Sequence, residues 1–296
     1  MTTLNPFDAA IRDDVVVPFL LQGLGVRGRL VRLVKTSTTV LGYHAYPEPV
    51  AELLGETLAL TAGLAHFLDF DGKFIVQTSG DGAVKMLVAD ITPDGGMRGY
   101  AQCVAPVPVA PAVLQSLTGK GYLAFTADAL GETRERYQGI VALEGNNLAE
   151  AIQHYFNQSE QLPTRVILAA KHEAANAWRS AALILQKLPS GDNQADDAQA
   201  AWEEAQVFLD TLSSAELLDS GIAAERLLYR LFAGNDVRVF EAAPLHATCR
   251  CTNERLQGIL MNLGSEDREG LFDEAQNIVM NCEFCNKNFS FGRDVF

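Results

Sequence analysis

Four of the chain's five cysteines stand close to its carboxyl end, as Cys249-Arg250-Cys251 and, thirty residues later, as Cys282-Glu283-Phe284-Cys285. No other feature so narrows what the surrounding segment can fold into. In an extended segment residues i and i+2 point to one side, so Cys249 and Cys251 can offer both sulfurs to one ion. A turn at Glu283-Phe284 lets Cys282 and Cys285 do the same. Four thiolates suit the tetrahedral preference of zinc, and a closed shell of four leaves no position for catalytic water. The spacing therefore points to a zinc site at Cys249, Cys251, Cys282 and Cys285 without hydrolytic chemistry. His246 lies three residues before Cys249, but the four cysteines already complete the shell.

Between the pairs, Thr252 is placed to cap a helix that Gly264 stops, followed by a short helical stretch and the strand-like NIVMN. A module of this size has little core of its own. A structural zinc contributes roughly 10 to 16 kcal/mol of apparent folding free energy in small peptides, enough to hold it together. Spacing alone leaves two behaviours open. The module can be a static zinc staple, or a switch in which an oxidant joins neighbouring thiolates and ejects the ion.

Composition bears on the partners. The amino terminus places Asp8, Arg12, Asp13 and Asp14 where an export signal needs an apolar run, so a reducing cytosol is expected. The formal charge of -14 is spread along the chain, and residues 236–296 alone hold six basic and ten acidic side chains. Phosphate backbones are repelled by such a surface, so no nucleic acid is expected as a partner. The uncharged tract from Gly99 to Gly119 is broken by Pro106, Pro108 and Pro111, and no membrane span is expected.

The rest of the chain reads as an α+β domain and a helical connector. RGRLVRLV from Arg27 alternates like a half-buried strand, and the segment from Val50 to Phe70 has helical spacing. Asp81-Gly82 and Pro93-Asp94-Gly95-Gly96 turn a three-stranded meander between Lys73 and Cys103. SGDG lacks the ending of a phosphate-binding loop and reads as the first of those hairpins. Further strands are expected at GYLAFTAD and GIVAL, then a helix at NLAEAIQHYFNQSEQ and an apolar run at 164–170. Beyond Lys171, EAANAWRSAALILQKL reads as a helix, GDNQADDAQA as a polar hinge, and AAWEEAQVFLDTL as an amphipathic helix. Ser213 and Glu216 form a capping box before the helical IAAERLLYRLF. Cys103 in AQCVAPV reads as a core thiol, and His44, His66, His154 and His172 form no recognisable catalytic arrangement. The expected parts are an α+β core at 1–172, a helical linker at 173–235 and a zinc module at 236–296.

With CRC, thirty residues and CEFC in hand, extended by CEFCNKNFSF and preceded by NDVRVFEAAP, the chain resembles the heat shock protein 33 family. SGDGAVKMLVAD, GGMRGYAQ, YFNQSEQLPT, LILQKLP and ERLLYRLF look like family segments in the family's order. Ala83 stands where proline is usual and Phe289 where tyrosine is common; neither touches a proposed ligand. The resemblance implies a redox-regulated holdase of the bacterial cytoplasm and no enzyme activity. It implies inactivity when reduced and zinc-bound, and activation by Cys249–Cys251 and Cys282–Cys285 disulfides. Zinc release, linker unfolding, ATP-independent binding of unfolding client proteins and homodimerisation of the active form are implied with it. A thiol-disulfide oxidoreductase is the rival reading of CEFC, but such motifs belong beside a βαβ pattern rather than in a terminal knuckle paired with CxC.

Overall fold

The structure is a computed structural model and describes residues 10–68, 72–108, 113–128, 137–173, 177–189 and 195–296. Asp8, Pro111 and residues 191–194 of the expected hinge lie outside the described residues.

The core is built from two antiparallel-rich sheets with one helix between them. Strands β1 (Val15–Leu21), β2 (Val26–Leu33), β8 (Thr164–His172) and β9 (Trp178–Lys187) form the first sheet in the order β1-β2-β9-β8. The meander β3 (Lys73–Gly80), β4 (Val84–Ile91) and β5 (Gly96–Cys103) continues through β6 (Gly121–Asp128) to β7 (Tyr137–Ala142). It makes the second sheet, ordered β5-β4-β3-β6-β7. The expected meander is therefore present, and Ser79 to Gly82 belong to its first hairpin.

Helix α1 (Lys35–Leu41) precedes α2 (Glu48–Ala65), whose Leu54, Leu58, Leu60, Ala62 and Leu64 are all buried. Apart from Glu48, Glu52 and Glu56 along one side, α2 is apolar nearly all round, and such a helix is stable only where it is covered; α2 packs against strands of both sheets. Its glycines set the distance. A Cβ on Gly55 would lie 2.5 Å from Ser180 Oγ, and one on Gly63 would lie 2.6 Å from Ile184 Cδ1. Two further helices are short: α3 (Leu114–Thr118) and α4 (Leu148–Gln158), the latter capped by Asn147.

The helix expected across 173–188 is a correction: Trp178–Lys187 is strand β9, paired with β2 on one side and β8 on the other. Ala182 and Ile184 face the core around α2, while Ala181, Leu183 and Leu185 face a second core on the sheet's outer side. Burial on both faces erases the alternation that marks a strand, and an unbroken apolar run of this kind reads equally as helix. The linker's helices begin only at α5 (Ala195–Asp210), followed by α6 (Ser214–Leu217) and α7 (Ala224–Leu231). Part of GDNQADDAQA thus belongs to the first turns of α5.

These three helices cover the outer face of the first sheet. Trp202, Ala205, Leu209, Leu217, Leu227, Leu228 and Phe232 pack onto Val17, Phe19, Leu21 and Leu30. The Ser213–Glu216 capping box is formed as expected, with Glu216 N donating to Ser213 Oγ at 3.3 Å.

After α7 the chain returns to both sheets. Strands β10 (Val237–Val239) and β11 (Ala243–Pro244) pair with β1, and β12 (His246–Ala247) adds in parallel to β5. Beyond them lie α8 (Asn253–Met261), α9 (Ser265–Glu269) and the hairpin β13 (Asn277–Asn281)–β14 (Asn288–Gly292).

Candidate metal centre

The cysteine pairs are delivered by two different local structures. Thr248 N donates to Met97 O at 2.8 Å, which fixes the approach of the first pair along the edge of β5. Thr252 then caps α8 by accepting from Arg255 N at 3.2 Å, as expected for that residue. The second pair sits in the turn of the terminal hairpin. Cys282 N donates to Lys287 O at 2.9 Å and Asn286 N to Cys282 O at 2.7 Å, with Asn286 in the left-handed region at φ 56°. Asparagine is among the few residues that adopt this conformation readily.

The four sulfurs converge, all within 4.8 Å of one another. Cys249 Sγ lies 3.7 Å from Cys282 Sγ, and Cys251 Sγ lies 3.2 Å from Cys285 Sγ. A tetrahedron with metal–sulfur bonds of about 2.3 Å has edges of about 3.8 Å, so the cluster has the dimensions of a four-thiolate site. All four are free thiols; Cys285 is buried and the others are half-buried. The group could hold a metal ion with no ligand beyond cysteine.

The electrostatics of the cluster fit a cation. Burial pushes the Cys249 thiol up, but the Cys251 amide and the three neighbouring sulfurs outweigh it and bring it down to about 7. Cys251 is driven the other way, by burial and by the sulfurs around it, and Cys285 is raised by burial despite the Lys287 amide. One thiolate forms readily and then opposes the next, an opposition that a divalent cation removes. Tyr43 feels the same crowding: burial first, then the nearby thiolates, raise its hydroxyl.

Other residues singled out from sequence fall elsewhere. His246 is outside the cluster, with Nε2 at 4.0 Å from Asp94 Oδ2. Cys103 is half-buried and packs against the first core. His44 has a role that its sequence position did not reveal. Its Nε2–H donates to Glu283 O at 2.7 Å, which ties the loop before α2 to the second cysteine turn. Asn286 Nδ2 donates to Tyr43 O at 3.2 Å in the same contact. Separations of more than 200 residues leave no local trace of such pairs in a sequence.

Within the described residues no helix is long and apolar enough to cross a membrane. Comparison with known proteins agrees with the cysteine pattern. The sequence profile of the family described as Hsp33 protein matches residues 14–292. A 33 kDa chaperonin of Caulobacter vibrioides is 38% identical over 297 residues, covering 97% of each chain. One from Pseudomonas aeruginosa is 41% identical over 275 residues, covering 92% of this chain and 90% of the other. The crystal structure of the Thermotoga maritima 33 kDa chaperonin superposes with a TM-score of 0.83 over 96% of each chain at 20% identity, a likeness of fold. Profile, relatives and four-cysteine cluster together place this chain in the Hsp33 family.

Proposed function

We propose that this chain is a redox-regulated, ATP-independent holdase whose four clustered cysteines, Cys249, Cys251, Cys282 and Cys285, are at once the ligands of one zinc ion and the oxidation sensor. The convergence of four free thiols within 4.8 Å, in a module with almost no core, is the observation that carries the reading. Its relatives' name, 33 kDa chaperonin, supports the chaperone class over an oxidoreductase.

When bound, zinc would neutralise the thiolates and cross-link α8's leading segment to the terminal hairpin, with no open position for catalysis. The chain's own residues do the rest. A thiolate attacks a peroxide oxygen, the O–O bond breaks, hydroxide leaves and a sulfenic acid forms. The neighbouring thiolate then attacks that sulfur and expels a second hydroxide, so two electrons leave each cysteine pair for each peroxide consumed. Both pairs, Cys249–Cys251 and Cys282–Cys285, need two peroxides and leave no thiolate to bind the metal.

The functional division that follows is 1–172 as core, 173–235 as responsive linker and 236–296 as switch module, with β9 remaining in the core sheet. Loss of the module frees the chain after β12, and the apolar faces beneath α5–α7 become a surface for unfolding proteins. Such an exposed face also favours a homodimer of the active form. The acidic surface disfavours nucleic acid, and reactive clustered thiols suit the cytoplasm.

The test is to measure zinc content and suppression of client aggregation on one sample, before and after peroxide with mild heat. Zinc loss accompanied by the appearance of protection is expected. Equal protection by both forms reduces the site to a static staple. Cys282→Ser should weaken zinc binding in the reduced protein, and unchanged affinity removes the ligand assignment.

A further inference from the structure

Asp90 on β4 is only 2% exposed, and a buried carboxylate needs partners. Its partners come from the neighbouring strand and from the carboxyl-terminal module. Arg98 Nε donates to Oδ2 at 2.8 Å, from the position opposite Asp90 in the β4–β5 register. Arg250 Nη2 donates to Oδ1, and Arg250 is the residue between Cys249 and Cys251. Arg250 Nε and Nη1 are buried without a protein partner, so its charge depends on Asp90.

Arg98 also reaches the second cysteine pair. Its guanidinium lies over the Phe284 ring at 3.8 Å from the centroid, and Phe284 stands between Cys282 and Cys285. Tyr100 faces the same ring at 6.2 Å. The intervening residues of both pairs thus rest on one buried carboxylate–arginine pair of the core.

We propose that Asp90, acting through Arg250 and Arg98, is a latch that docks the metal-bound module on the core and sets how readily its four thiols lose zinc to an oxidant. The inference rests on the zinc-switch reading and adds the core residues that hold the switch shut. Gathering four sulfurs at one point fixes where Arg250 and Phe284 can reach. Joining Cys249 to Cys251 draws two sulfurs to about 2.05 Å, and the residue that must readjust between them is Arg250. Docking and metal binding therefore favour one another by the same factor, as linkage requires.

The test uses the full chain, reduced and zinc-loaded, as wild type, Asp90→Asn, Arg250→Gln and the double variant. Hydrogen exchange at 246–252 and 282–286 is read first, then zinc release to a chromogenic chelator at fixed peroxide. Faster exchange and release at least about tenfold faster are expected in each single variant, with the double variant no faster than Asp90→Asn alone. Wild-type exchange and release in Arg250→Gln, or additive effects in the double variant, overturn the latch. Arg250 stands outside both main cores, so this outcome is readable even where Asp90→Asn does not fold. If wild type keeps its zinc under peroxide, the zinc-switch reading falls, whereas the exchange measurement still decides the latch.

Discussion

Helix α2 and the carboxyl-terminal module hold their shapes by opposite means. Around α2, two sheets bury a continuous apolar cluster that includes Leu54, Leu58, Leu87, Ile91 and Leu123. The module's own apolar cluster is Leu260, Ile278 and Phe291, with Leu256, Phe272, Met280 and Phe289 partly covered against it. Apolar burial stabilises in proportion to area, so the first region has a large core to hold it and the second a small one, which is the expected ground for its reliance on a bound metal. The difference teaches where a reversible change can be placed. On the proposed reading, a module with so small a core is the part that four sulfur atoms could open while the sheets stay folded.

The largest effect that could break this contrast is metal removal. Chelation from the reduced protein should abolish exchange protection across 249–292 while β1–β9 stay protected, since a structural zinc contributes roughly 10 to 16 kcal/mol in such modules. Protection that survives chelation would show that the small core suffices by itself.

A second effect sharpens the position of α5–α7, which lies between the extremes. Phe232 is fully buried and stacks on Phe19 at 5.9 Å, where it joins the helical cover to β1. Phe232→Ala should cost roughly 3 to 5 kcal/mol. The loss should appear as earlier melting of α5–α7 with zinc affinity unchanged. Coincident melting of both sheets with the helices would show that cover and core form one cooperative unit.

The smallest effect concerns pH. Burial, aided by Glu52, raises Glu56 on α2 to about 7. A carboxyl whose folded pKa lies above its unfolded value stabilises the fold fully below the unfolded pKa near 4.5, and that contribution is lost as pH rises through about 7. Core stability should therefore fall between about pH 4.5 and 7, by on the order of 3 kcal/mol at most. Glu56→Gln should flatten that slope in urea titrations of the zinc-loaded protein. An unchanged slope would assign the pH dependence to other groups.

Much of the chain was legible before its structure. Local rules carried the meander turns at Asp81-Gly82 and Gly95-Gly96, the Ser213–Glu216 capping box and the Thr252 cap, because each depends on residues within a few positions. Strand β9 was not legible, since Ala181 to Leu185 are apolar for two different cores and carry no period. Strands β10 to β12 are two or three residues long, and their pairing with β1 and β5 depends on partners more than 140 residues away.

The sequence by itself determined which four sulfurs would meet, because the chemistry of a tetrathiolate site is written in the spacing of CxC and CxxC. Only the tertiary structure decided what their neighbours touch. Arg250 and Phe284 find Asp90 and Arg98 because β12 lies along β5, and His44 finds Glu283 from the loop before α2. Such contacts arise from the packing of distant segments, which no local pattern encodes.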